Sequence, residues 1–290
     1  MNPDVTDSRT LQGATTADGL PAVRTQVQSV PEHCKYKMTH EHPGVALIFN
    51  QARFRNAPER QGSDKDEDDL TKALLVLRFK VRVYIDLTEQ MVFETLKDVS
   101  KEDHSQHDCL VVVMMTHGET GTLLAADTHD TNRPPYKVER LWEHFADDAC
   151  PGLVGKPKLV FIQACHRKHV NTGVKTRSKC VAKAIDARGS PEDRGEVYSI
   201  PTMPDLLVVY STYDGHYSWR KRTSGSWFIQ SLVRSLTKYG STLDVLSLLT
   251  VVLRNVACGY KSRVPEYPYM DKKKQMPCIV STLTKALYFR

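Results

Sequence analysis

The chain has 290 residues, 40% of them hydrophobic and 26% charged, with a formal net charge of +6. These are the proportions of a globular protein able to bury a full core, and no apolar run approaches the roughly 20 residues that span a bilayer. Seven cysteines without Cys-x-x-Cys spacing argue against a disulfide framework or a zinc site. Short basic groups such as Lys221-Arg222 and Lys272-Lys273-Lys274 lack the clustering of a nucleic-acid footprint.

Residues 1–34 are polar, show no helical period, and read as a short disordered leader. Met1 is followed by polar residues rather than by a secretory signal, so a cytoplasmic location is expected. Gly44 to Phe49 reads as a buried strand. Arg53 to Asp69 is polar, with Pro58 and Gly62. Asp66 to Leu77 reads as a helix whose first-turn acids complement its dipole. Val81 to Ile85 is the next strand, and Thr88 to Val99 is helical. The run from Cys109 to His117 is a strand, and Val138 to Ala146 reads as a helix carrying Leu141, Trp142 and Phe145. Lys158 to Cys165 is again a strand. Residues 166–203 are rich in Lys and Arg, contain Gly and Pro, and have almost no apolar period, as expected of a functional or disordered loop. Asp205 to Tyr210 is a strand. A helix capped by Ser224 or Ser226 runs to Tyr239 and stops at Gly240. Leu243 to Val256 is helical, and Cys278 to Leu283 is the last strand. This alternation predicts an α/β fold with a mostly parallel sheet.

Two of the strands end on chemistry. One stops at the His117 imidazole and the other at the Cys165 thiol. Ligands bind at the carboxyl ends of strands in open parallel sheets, so the two groups can meet over one crevice. That pairing is what Cys–His nucleophilic catalysis requires. A tetrahedral intermediate also needs backbone N–H donors, for which Gly118 and Cys165 are placed. By itself each of these residues has a structural reading as well.

Gln163-Ala-Cys165 resembles the active-site peptide of the caspases, and Thr116-His-Gly118 resembles their Ser-His-Gly. His117 precedes Cys165 by 48 positions, near the roughly 50 of that family. The resemblance runs from about Tyr36 to the C-terminus. It is closest in Asp98-Val-Ser-Lys-Glu-Asp-His104, Gly155-Lys-Pro-Lys158, Tyr217-Ser-Trp-Arg220, Gly225-Ser-Trp-Phe-Ile-Gln-Ser231 and Pro277-Cys-Ile-Val-Ser281, which look like an executioner caspase.

The resemblance implies a three-layer fold with a six-stranded sheet, made as a zymogen. Residues 1–34 would be a prodomain, 35–186 a large subunit with its linker from 166, and 187–290 a small subunit. It implies an endopeptidase that cuts protein substrates after Asp in programmed cell death. Cys165 would be the nucleophile, His117 the general acid/base, and Gly118 an oxyanion donor. Arg60, Gln163 and Arg220 would hold the P1 carboxylate, with Thr116, Tyr217, Trp219 and Trp227 lining the rest of the substrate groove. Two guanidinium forks suit a carboxylate better than lysine would. The resemblance further implies a homodimer of large/small pairs joined near Ile279 to Leu283, an upstream initiator caspase, and inhibitor-of-apoptosis proteins as binders. It implies no metal or organic cofactor, no nucleic acid and no membrane.

The sequence also departs from the family. His166-Arg167 replaces the usual Arg-Gly after the nucleophile, which removes a freely turning glycine and adds bulk beside the thiol. The alternative outcome is a catalytically weakened homologue that regulates an active caspase by dimerisation or binding. The linker offers Asp186 and Asp193 as processing sites, Asp186 being favoured by its following Ala187. The leader offers Asp7 and Asp18.

Overall fold

Strands that are apolar at every position need cover on both faces. In the computed structural model, which describes residues 30–119, 121–128, 133–164, 203–213 and 217–289, helical layers supply that cover. Strands β1 (Gly44–Asn50), β2 (Lys80–Ile85), β3 (Cys109–Met115), β4 (Lys158–Gln163), β5 (Leu206–Tyr210) and β6 (Cys278–Ser281) form one six-stranded sheet. Its order is β6-β5-β4-β3-β1-β2, and only the β5–β6 pair is antiparallel. The expected α/β sandwich is therefore present.

Alternation along the strands feeds two separate cores. Val111 and Val113 of β3 point to one, while Leu110, Val112 and Met114 point to the other. Helices α1 (Ser63–Val76), α3 (Trp227–Tyr239) and α4 (Val245–Gly259) close the first with Leu70, Leu74, Phe228, Leu232, Leu248 and Leu249. Helix α2 (Glu89–Ser100) and residues 138–145 close the second. Each fully buried aliphatic or phenyl side chain contributes roughly 1.5–3 kcal/mol of transfer free energy.

The helices start where their capping residues dictate. The Thr88 hydroxyl accepts from Met91 N at 3.2 Å, the Ser226 hydroxyl from Ile229 N at 3.4 Å, and Asp244 from Leu246 N and Ser247 N, both at 3.1 Å. Two expectations need correction. Helix α1 begins at Ser63, three residues before Asp66, because Gly62 takes a left-handed φ of 80° and the chain turns there. The segment from Val138 to Ala146 is not an α-helix but two short 3-10 turns, Val138–Leu141 and Glu143–Phe145. Leu141 and Trp142 are neighbours in sequence yet both bury in the same core. A regular helix would point them about 100° apart, and Trp142 breaks it with a φ of −123°.

Candidate active site

Parallel strands paired in register end at one level. Met115 of β3 pairs with Asn50 of β1 on one side and with Gln163 of β4 on the other. Thr116 N donates to the Gln163 carbonyl at 2.9 Å, and Gln51 N to the Met115 carbonyl at 2.9 Å. His117 follows Met115 by two residues, as Cys165 follows Gln163. Cys165 itself lies outside the described residues, as do His166, Arg167 and the expected processing residues Asp7, Asp18, Asp186 and Asp193.

His117 is held by the loop that follows β1. Its Nε2 lies 2.8 Å from the Pro58 carbonyl, which can only accept, so Nε2 carries the proton. In the neutral ring the lone pair then resides on Nδ1, the nitrogen able to take a proton from a thiol. The Phe54 ring packs against the imidazole with centroids 4.8 Å apart. The preceding Thr116 is buried, and its hydroxyl donates to the Leu124 carbonyl at 2.6 Å. Gly118 is buried and opens a tight hairpin, Gly118–Glu119 against Thr122–Leu123. A Cβ at Gly118 would approach the Thr122 carbonyl oxygen to 2.4 Å. Close packing of the hairpin thus demands glycine there, in addition to the open N–H expected from sequence.

The same loop brings the predicted arginines together. Arg60 is 1% exposed, and its Nη1 donates to Asn50 Oδ1 at 3.2 Å and to the Gln51 carbonyl at 3.0 Å. Arg220 Nε donates to the carbonyl of Gln61, the residue after Arg60, at 3.0 Å. Arg220, 160 positions further along the chain, is thus tied to the loop one residue past Arg60. Gln163 is buried at the end of β4, and one of its amide N–H groups donates to Ser218 Oγ at 2.7 Å. Arg220–Lys221 pairs with Gly225–Ser226 as a short hairpin that presents this segment.

Tyr217, Trp219 and Trp227 are parts of one aromatic stack. Centroids lie 6.1 Å apart for Tyr217–Trp219 and 5.7 Å for Trp219–Trp227. The stack continues to Tyr260, 5.1 Å from Trp227, which sequence reasoning did not single out. Trp227 is 3% exposed and its amide donates to the Trp219 carbonyl at 3.0 Å. Gln275 was also missed. Its Oε1 accepts from Trp219 N at 2.7 Å and its Nε2 donates to the Ser211 carbonyl at 2.6 Å, so it fixes the segment that carries Tyr217 and Trp219. No local pattern marks a glutamine 56 positions from its partner.

Three other cysteines are poor nucleophiles. Burial pushes the thiols of Cys109, Cys150 and Cys278 up, away from the reactive thiolate. Among the described residues no group of three or more His, Cys, Asp or Glu is placed to hold a metal ion. Among them too, no helix is long and apolar enough to cross a membrane.

Comparison with known proteins agrees with this geometry. Residues 43–288 match the family model of the caspase domain. The chain is 41% identical over 256 residues to Caspase-1 of Spodoptera frugiperda, covering 88% of this chain and 81% of that protein. It is 39% identical over 257 residues to Caspase drICE of Drosophila melanogaster, covering 88% and 72%. The crystal structure of Caspase-1 from Spodoptera frugiperda superposes with a TM-score of 0.77 at 38% identity, covering 90% of this chain and 97% of that one.

Proposed function

The chain belongs to the caspase family of cysteine-type endopeptidases, and from that premise we propose that it cuts proteins after Asp as an executioner of programmed cell death. One observation carries the proposal. The loop from Ala52 to Gly62 holds the His117 proton on Nε2 through Pro58, carries Arg60, and accepts from Arg220 at the next residue, Gln61. The proposed base and carboxylate clamp would thus share one support.

In this mechanism the Cys165 thiolate attacks the carbonyl carbon after which the chain is cut, and the N–H groups of Gly118 and Cys165 hold the oxyanion. His117, protonated at Nδ1 by the thiol, gives that proton to the departing amine as the C–N bond breaks. A thioester remains on Cys165. Water then attacks it, passing one proton to His117, and the thiol is restored as the acid product leaves. Arg60 and Arg220 bind the P1 carboxylate through fork geometry, with the second N–H of Gln163 beside them. Tyr217 and Trp219 line the P2 side, Trp227 stands further along the groove, and Thr116 supports the His117 strand end.

The proposal extends to assembly and activation. The chain would be a cytoplasmic zymogen, cut at Asp186 or Asp193 by an initiator caspase and trimmed at Asp7 or Asp18. Strand β6 is an open sheet edge, the kind of strand that pairs with a second copy. Inhibitor-of-apoptosis proteins would bind the substrate groove.

The test is turnover of a peptide library with Asp fixed at P1, by the purified chain and by Cys165→Ala. Cleavage that requires Cys165, and falls about 100-fold or more for P1 Asn, is expected. No cleavage after cutting at Asp186 or Asp193, with the dimer confirmed, would overturn the peptidase and leave the regulatory homologue.

A further inference from the structure

We infer that Asp66 is a positioning residue of the substrate pocket, a buried carboxylate that locks the Arg60 loop to the Trp219–Arg220 segment. This rests on the assignment of Arg60 and Arg220 to the P1 clamp proposed above.

Asp66 is fully buried (0% exposed) on the first turn of α1, six residues after Arg60. Both of its oxygens lie 2.9 Å from the Ser226 amide nitrogen, and the Gln230 side-chain amide donates to Oδ1 at 3.2 Å. Burial pushes the carboxyl up, while Ser226, Gln230 and the nearby Arg60 charge favour its ionised form. Ser226 is the residue that pairs with Arg220 in the hairpin, and the next amide, that of Trp227, donates to the Trp219 carbonyl. One carboxylate, six residues after the first arginine, therefore grips the strand that pairs with the second.

Two features separate this from an ordinary helix cap. The cap of α3 is already supplied by the Ser226 hydroxyl, whereas Asp66 reaches the same residue from 160 positions away. The approach is also purpose-built: Gly225 has a φ of +79°, and a Cβ there would stand 2.2 Å from Asp66 Oδ1. Only glycine admits the carboxylate at that distance. Asp66 and Arg60 precede residues 165–202 in sequence, while Ser226 and Arg220 follow them. The link would therefore persist as a non-covalent clamp once that segment is cut.

The experiment is steady-state cleavage of a P1-Asp peptide by the unaltered chain, Asp66→Asn, Gln230→Ala and the surface control Lys72→Ala. Lys72 pairs only loosely with Asp68, at 3.9 Å. Losing a charge-assisted hydrogen bond should raise KM about tenfold in Asp66→Asn, and losing the amide bond about threefold in Gln230→Ala. In both variants kcat should stay within about threefold, and Lys72→Ala should match the unaltered chain. KM within about twofold of the unaltered value in both variants, or a fall in kcat alone, would overturn the inference. Should Asp66→Asn not fold, Gln230→Ala decides it. If the unaltered chain shows no Cys165-dependent turnover, the peptidase proposal fails instead. Binding of a labelled peptide ending in Asp to the Cys165→Ala chain, with and without Asp66→Asn, then decides the link.

Discussion

At the scale of single residues, the site depends on groups whose chemistry cannot be exchanged for that of near neighbours. Arg220, whose Nε donates to the Gln61 carbonyl, is proposed to grip the P1 carboxylate through its guanidinium fork. Lysine keeps the charge and loses the fork, so Arg220→Lys is expected to lower kcat/KM about 100-fold. A loss under about fivefold would argue that charge alone suffices. Gly118 makes a different demand. Gly118→Ala would drive a methyl against the Thr122 carbonyl oxygen, and overpacking of this kind costs about 1–3 kcal/mol. Urea unfolding of the two proteins should show that loss, and an unchanged midpoint would mean that the hairpin relaxes freely.

At the scale of elements, each helix or strand is a local decision made by a few capping and packing residues. Asp244 accepts two amide hydrogens at the start of α4, whose inward face buries Leu248, Leu249 and Val252. Asp244→Ala is expected to cost about 1 kcal/mol and Asp244→Asn only a few tenths. Chemical denaturation measures both, and equal costs would assign the effect to charge rather than to capping. Much of this was legible in the sequence: the helix starting at Thr88, the Ser226 cap and the strands opening at Cys109 and Lys158 stand where the local pattern puts them, although the strands end at Met115 and Gln163, two residues before the expected His117 and Cys165. The segment from Val138 to Ala146 was not. Its apolar spacing fits a helix, but the demand to bury both Leu141 and Trp142 in one core comes from the strands and α2 behind it.

Across the whole molecule, contacts bridge the segment expected to be cut. Strands β4 and β5 lie on either side of residues 165–202 in sequence and pair in parallel from Lys158↔Leu206 to Ile162↔Tyr210. Tyr36 donates from its hydroxyl to Asp205 at 2.5 Å, and the Thr284 hydroxyl donates to the same oxygen at 2.6 Å. Cleavage within 166–202 should therefore leave the two pieces associated. Size-exclusion chromatography of the cut protein tests this, and separate elution would refute it.

The Asp205 cluster also predicts a pH response. Burial alone would raise the Asp205 carboxyl, but Thr284, Tyr36 and the Lys158 charge bring it below the usual carboxylate range. A folded value below the unfolded one, about 3.9, gives stability that is present above that pH and lost as pH falls through the lower folded value. Burial, then the Asp205 bond, pushes the Tyr36 hydroxyl up to about 12. Its contribution is present below the ordinary tyrosine value and fades as pH rises toward 12. Asp205→Asn should thus be less stable than the unaltered chain at neutral pH, with the gap closing in acid. Urea midpoints at pH 7 and pH 3 measure it, and a constant gap would exclude the linkage.

Sequence alone determined what is local in this protein: apolar runs long enough only for strands, the caps that start helices, and an imidazole at the end of one such run. Those features follow from side-chain period and backbone chemistry within a few residues. Tertiary structure decided the rest. It set the His117 proton on Nε2 through a carbonyl 59 positions away, buried Arg60 against Asn50, brought Gln275 to Trp219, and made Asp66, expected as a first-turn helix acid, a buried link to Ser226. Each of these is a contact between segments far apart in the chain. Periodicity and propensity act over one turn or one strand, so no pattern in either partner announces the other before the sheet brings them together.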